Sequence, residues 1–317
     1  MPFPHKTVLV TGATAGIGRA LAERMVENGV FVIAVGRRKE RLQELEARYG
    51  RDKVVAEEFD LTKTAEIQPW AQRITKEYPT LSSIILNAGI QRTLDFTNPS
   101  YEELSSKITS EVDTNYTSPL LTITAFLPHL ISLGGGAGAS SPTPASVILV
   151  TSGLALVPLA RCANYCSTKS ALHHFGLSLR SQMQSSTNTQ HVRVIVGSST
   201  ARPAAPLLTY TYMYIPLLWA VSHRKLTPFA KDILPPAVQT ELHELQPELV
   251  AAGQAQIGMP LKAFIDETWA AMDRWDENEN EIMVEEMSQR WGHIDDEKKT
   301  AFRRLEAMMK GMGGLKA

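Results

Sequence analysis

The stretch KTVLVTGATAGIGRALAERMVENG, residues 6–29, decides the fold. Its opening, KTVLVTG, is a short run rich in β-branched residues that ends on glycine, which predicts a buried strand. Its second half places Ile17, Leu21 and Met25 at helical spacing and stops at Gly29, which predicts a helix. Between the two, TGATAGIG at residues 11–18 joins strand to helix as a phosphate-cradling turn requires. Gly12 permits a tight turn, Gly16 lets backbone amides approach a pyrophosphate, and Gly18 allows close packing at a helix N-terminus that favours anions.

The same alternation continues outward. VFVIAVG (30–36) predicts a second strand, ERLQELEARYG (40–50) a second helix, and KVVAEEFD (53–60), AEIQPWAQRITKEY (65–78) and SSIILNAG (82–89) a further strand, helix and strand. A helical stretch over 101–131, the strand SVILVTS (146–152), the helix over 165–184 and the strand HVRVIV (191–196) complete the pattern. Such βαβ repetition predicts one doubly wound α/β domain over 1–317, with a parallel sheet of about seven strands and helices on both faces. A helical cap is expected from 250 to 317, with helices near 260–275 and 296–310, and the glycine-rich 134–145 reads as a mobile surface loop.

Composition narrows the function. The 317 residues are 44% hydrophobic and 21% charged, with a net charge of −1, which is ordinary for a globular protein and removes the electrostatic case for a nucleic-acid or anionic-membrane partner. Two cysteines, Cys162 and Cys166, argue for a reducing compartment and no disulfide framework. Their spacing lacks the further ligands a metal site needs, so no metal is expected and both read as semi-buried fillers. The N-terminus shows no cationic start followed by an apolar run, which leaves the cytoplasm as the expected location.

The chemistry sits around NYCSTK, residues 164–169. On a helix, Tyr165 and Lys169 share a face, so the ammonium lies near the phenol oxygen. A free phenol has a pKa of about 10, and a neighbouring cation is expected to bring it down towards neutrality, where proton transfer is most effective. Ser152 stands thirteen residues upstream at a strand end. At the end of the second strand no carboxylate occurs from Phe31 to Arg38; Arg37 and Arg38 stand there instead. A carboxylate there would bind a ribose diol, whereas a guanidinium fork suits a 2′-phosphate, so NADP is favoured over NAD.

Thr-Gly-x-x-x-Gly-Ile-Gly at 11–18, Asn87-Ala88-Gly89, Asn115, Ser152 and Tyr165-x-x-x-Lys169 stand in the order and spacing of the single-domain short-chain dehydrogenases/reductases. The chain resembles that family over 6–196 and again from 234 to about 250. The resemblance implies a Rossmann-type domain that interconverts a carbonyl and a secondary alcohol, with the hydride supplied by the cofactor. Tyr165 would exchange the proton, Ser152 hold the substrate oxygen, Lys169 bind the nicotinamide ribose and Asn115 support a water relay. Gly12, Thr14, Ala15, Gly16, Ile17 and Gly18, then Arg37, Arg38, Asp60, Leu61, Asn87, Ala88, Gly89, Tyr165, Lys169, Val238 and Thr240 would contact the dinucleotide. Homodimers or homotetramers paired through long helices are implied too. The turn PPAVQTELHE and the helices after it resemble the branch named for D-alanine esterification of teichoic acids. A protein that keeps NADPH but has lost turnover, acting as a sensor or scaffold, is the alternative; an epimerase is disfavoured by Ala15, where that pattern carries glycine.

Residues 197–232 interrupt the pattern. They carry three tyrosines, Tyr210, Tyr212 and Tyr214, and no clean period. The apolar part, Leu207 to Val221, is shorter than the roughly twenty residues a membrane span needs, so insertion is not expected. A lid or partner-binding insertion and a retained intron translated in frame both account for it. His173 and His174 read as packing residues, and the acidic 276–286 as a solvated surface segment.

Overall fold

The computed structural model describes residues 2–134, 143–195, 233–244, 256–274 and 282–311, with isolated positions between 246 and 253. Strands β1 (Thr7–Thr11), β2 (Phe31–Gly36), β3 (Val54–Glu58), β4 (Ser83–Leu86), β5 (Ala145–Leu149) and β6 (Val192–Ile195) form one parallel sheet in the order β3-β2-β1-β4-β5-β6. The order reverses between β1 and β4, and a crevice opens there beyond the strand ends. Pleating sends Val8 and Val10 into the core on one face and Leu9 into the core on the other. That two-sided burial is why the strands read as continuous apolar runs.

Helices α1 (Gly16–Glu27) and α2 (Lys39–Tyr49) follow the first two strands, and α3 (Ile67–Glu77) the third. The predicted helix over 101–131 is two helices, α4 (Tyr101–Val112) and α5 (Ser118–Ser132), separated by a single π turn at Asp113–Thr117. Helix α6 (Ala163–Gln184) precedes β6. The helix Leu261–Asp273 lies on α1 and sends Phe264, Ile265 and Met272 into the core. The long C-terminal helix Glu285–Gly311 starts well before the position expected for it.

Two short strands, β7 (Ile233–Leu234) and β8 (Ile282–Met283), pair in parallel apart from the six-stranded sheet. Strand β8 corrects the reading of 276–286 as solvated: Ile282, Met283 and Val284 are buried, because an apolar triplet inside an acidic run has a core to enter. Glu285 and Glu286 are exposed at the start of the C-terminal helix, while residues 276–281, residues 135–142 of the expected 134–145 loop and the segment 197–232 lie outside the described residues. Among the described residues no helix is long and apolar enough to cross a membrane.

A buried histidine ties the chain start to the sheet. His5 Nδ1 lies 3.1 Å from Ser82 Oγ and Nε2 3.0 Å from Ser146 Oγ, and Ser146 also bonds Ser83 Oγ at 2.7 Å. Burial, aided by the charge of Arg193, pushes the imidazole down to about 3. A histidine depressed in the fold contributes stability that is present above its unfolded value and lost as pH falls below it. Unfolding free energy from urea titrations is therefore expected to drop by ~1.4 kcal/mol for each pH unit below about 6.5 through this group alone. Subtracting the His5→Asn profile isolates that slope; identical profiles would refute it.

Candidate active site

The turn after β1 is shaped by close approach. Gly12 has φ +68°, and a Cβ there would stand 2.9 Å from Ala88 Cα and from Asn87 Nδ2. A Cβ on Gly18 would collide with Asn87 Nδ2 and the Gly12 carbonyl. Asn87 Nδ2 donates to the Thr11 carbonyl at 3.1 Å, and the Thr11 hydroxyl accepts from the amides of Asn87 and Ala88 at 3.0 and 3.1 Å. The end of β4 is thus stitched to the end of β1. Ala15 at the N-cap of α1 supplies no capping side chain, and the first turn holds no acid, so the positive helix end faces the crevice uncompensated.

At the end of β2, Arg38 donates from Nε and Nη2 to Thr14 Oγ1 at 3.1 and 2.9 Å, and from Nη1 to Glu241 Oε2 at 2.8 Å. Arg41 lies 3.7 Å from the same carboxylate. Asp60 Oδ1 accepts from the amide and hydroxyl of Thr62, at 3.0 and 2.8 Å. Ser118 Oγ donates to the Leu61 carbonyl at 2.7 Å. The turn carrying Val238 and Thr240 closes over α1: the Gln239 amide donates to the Met259 carbonyl at 3.0 Å, and a Cβ on Gly16 would meet Thr240 at 3.3 Å.

Across the crevice, the π turn presents Asn115. Its Oδ1 accepts from the Ile90 amide and its Nδ2 donates to the Ile90 carbonyl, both at 2.8 Å, and Nδ2 reaches Thr168 Oγ1 at 3.2 Å. Thr168 donates to the Tyr165 carbonyl at 2.8 Å, so Asn115 fixes the loop after β4 against the first turns of α6. Lys169 Nζ donates to the Val150 carbonyl at 2.9 Å and lies 5.8 Å from the centre of the Tyr165 ring. Ser152 Oγ accepts from the Leu154 amide at 3.1 Å, and its hydroxyl lies close enough to Tyr165 to favour the phenolate.

One cleft of about 860 Å³ gathers these residues. Gly12, Thr14, Ala15, Gly16, Ile17, Arg37, Arg38, Asp60, Leu61, Asn87, Ala88, Gly89, Ser152, Tyr165, Lys169, Val238 and Thr240 line it, while Gly18 and Asn115 stand behind its wall. One expectation is corrected. Burial pushes the Tyr165 phenol above its ordinary value; the Ser152 hydrogen bond pulls the other way, and Cys162, Cys166 and Glu111 add to the rise. The expected lowering by Lys169 does not prevail, because helical spacing sets the approach of the ammonium while desolvation depends on packing that spacing does not report. Cys162 and Cys166 are buried beside Tyr165 with their sulfurs 3.9 Å apart.

Four lining or supporting residues escape motif reading. Glu111 is fully buried, accepts from Asn164 Nδ2 at 2.7 Å and from the Arg92 amide, and is held above the usual carboxylate range by burial. Its place four residues before Asn115, on one helical face, was the available signal. Glu241, Arg161 and His243 carry no such signal, since each meets the site through tertiary packing.

Comparison with known proteins agrees with this arrangement. The sequence model described as short chain dehydrogenase matches residues 6–199. The uncharacterized oxidoreductase DltE of Bacillus subtilis is 36% identical over 58% of this chain and 68% of its own length. The NADP-dependent 3-hydroxy acid dehydrogenase YdfG of Salmonella typhi is 31% identical over 56% of this chain and 66% of its own. These alignments span about two thirds of each relative. The fold superposes on a short-chain dehydrogenase from Sphingobium yanoikuyae in complex with NADPH with a TM-score of 0.64 at 21% identity, covering 94% of this chain and 95% of that one. With the strand order, the glycine turn and the family match over most of the chain in agreement, the protein belongs to the short-chain dehydrogenases, a family of oxidoreductases.

Proposed function

We propose that the protein is an NADP-dependent oxidoreductase that interconverts a carbonyl and a secondary alcohol and is suited to reduction. The observation that carries this is a buried phenol, Tyr165, beside Ser152 in the wall of the cleft that the glycine turn lines. A phenol held above its ordinary value stays protonated at neutral pH and is a proton donor. The oxygen of a carbonyl being reduced becomes a far stronger base than phenolate, so the transfer runs downhill. Ser152 orients that oxygen, and Lys169, close behind, offsets the phenolate charge left after transfer.

The residues present fit NADPH. The glycine turn would offer backbone amides and the end of α1 to a pyrophosphate, and Arg37 and Arg38 would hold the phosphate of the adenosine ribose. When bound, the cofactor supplies the hydride. Its use is also named for the Salmonella relative, and the Sphingobium structure is a complex with NADPH.

The test is NADPH consumption by the purified chain against a panel of aldehydes and ketones. Turnover of at least one supports the reading; binding of NADPH without turnover across the panel overturns it in favour of a sensor or scaffold. Cofactor choice has its own expected outcome. Arg38→Ser should raise the NADPH dissociation constant ~10–100-fold, the loss of one charge-assisted contact to phosphate, and leave NADH within about twofold. Fluorescence titration of both nucleotides reads this, and equal weakening of both would show that Arg38 does not recognise the phosphate.

A further inference from the structure

Beyond Ser152 and Tyr165 the cleft wall combines apolar residues, Leu154, Val157 and Met287 among them, with three arginines, Arg92, Arg161 and Arg290. Of the described carboxylates lining the cleft near these residues, Glu286 is 3.4 Å from Arg290, and Glu241 is taken by Arg38 and Arg41. Arg92 has Glu111 behind it, whose carboxylate accepts its backbone amide. Arg161 is different. It precedes α6 in the short turn Ala160–Cys162, and no described carboxylate comes within 4.0 Å of its guanidinium. A half-buried guanidinium in a cleft wall with no described counter-charge is open to an anion that enters the cleft.

A second observation at the same place points to a ligand. His243 lines the cleft and is only 8% exposed. The Ile257 backbone acts on its ring, and Nδ1 is buried with no hydrogen-bond partner among the described residues. A buried polar atom of this kind, in a cleft wall, is met by what occupies the cleft. Both Arg161 and His243 line this cleft, and burial, with the Arg161 charge adding to it, lowers the basicity of the imidazole.

We propose that the substrate is a carbonyl compound bearing a carboxylate, an oxo acid on reduction and a hydroxy acid on oxidation, with the carboxylate held by Arg161 beside His243. This rests on the reductase reading above. A planar fork of N–H donors matches a carboxylate in two parallel hydrogen bonds. The apolar residues of the same wall take the hydrocarbon between or beyond the two oxygenated groups. Reduction itself is unchanged: the hydride goes to the carbonyl carbon, the Tyr165 proton to its oxygen, and the carboxylate stays intact.

The experiment uses pyruvate, acetoacetate and levulinate, each beside its methyl ester, with NADPH, on wild type and Arg161→Gln. The three acids set the spacing between carbonyl and carboxylate. At least one acid should exceed its ester ~10–100-fold in kcat/KM, and Arg161→Gln should remove that preference while leaving the ester's turnover near wild type. Equal use of acid and ester by wild type, or equal losses for both in the variant, would overturn the proposal. Turnover of none of the six would strike the reductase reading rather than Arg161. Calorimetric titration with the corresponding hydroxy acids then reads the anion site alone: binding lost in Arg161→Gln supports it, and equal or absent binding overturns it. Arg161→Lys, which keeps the charge and loses the fork, guards against a variant that fails to fold.

Discussion

Tyr165→Phe is expected to lower carbonyl reduction by ~10³-fold in kcat while NADPH affinity stays within about twofold of wild type. The substitution removes one oxygen and keeps the ring, which packs with Cys162, Cys166 and Leu154, so the core beside it is preserved. What disappears is the proton donor and its bond to Ser152. On the proposed mechanism the phenol acts at the substrate carbonyl, so the loss should fall on the chemical step. Single-turnover measurement with bound NADPH separates that step from release. A variant as active as wild type would remove Tyr165 from the mechanism, and one that loses NADPH binding in parallel would show that the residue serves the nucleotide instead.

The second large effect concerns the C-terminal helix. His173 on α6 lies 3.2 Å from Asp295 Oδ1, and Lys299 pairs with the other oxygen of the same carboxylate. His173 and Asp295 are fully buried and Lys299 nearly so. Burial alone would raise the Asp295 carboxyl, but His173 and Lys299 hold it below the usual range. Asp295→Ala removes the charge that both neighbours face and should cost ~3–5 kcal/mol, read as a shift in the urea midpoint. The double variant Asp295→Leu with Lys299→Met should recover most of that, because replacing a buried ion pair by apolar volume is often neutral. If both variants lose the same stability, the cost lies in packing and not in the stranded charge.

Much of this molecule is legible in its sequence where chemistry and spacing coincide. The glycine turn, Asn87, Asn115, Ser152, Tyr165 and Lys169 are each fixed by local geometry: a strand end, a turn that only glycine fits, or one face of a helix. Strand β8 is hidden because two residues give no period, and acidic neighbours mask them. The Arg38–Glu241 pair joins residues 203 positions apart, and although Arg38 stands out at the end of the second strand, nothing in the sequence pairs it with Glu241. Arg161 and His243 come together only after the chain has wrapped round the cleft. The weakened acidity of Tyr165 is illegible for the same reason. Position on a helix predicts which charge is near, whereas burial is a property of everything packed around it.

Arg38 already holds an anion, the Glu241 carboxylate, on the guanidinium that a nucleotide 2′-phosphate would take. Capture of NADPH there would be a ligand exchange, one oxyanion leaving as another arrives, with little net counter-charge released. Sodium chloride should weaken it less steeply than the phosphate count alone suggests. A dianionic phosphate would compete with Glu241 for that guanidinium, whereas an uncharged ribose diol would leave the pair intact and donate to the carboxylate, so the pair sets the terms of exchange for one nucleotide without excluding the other.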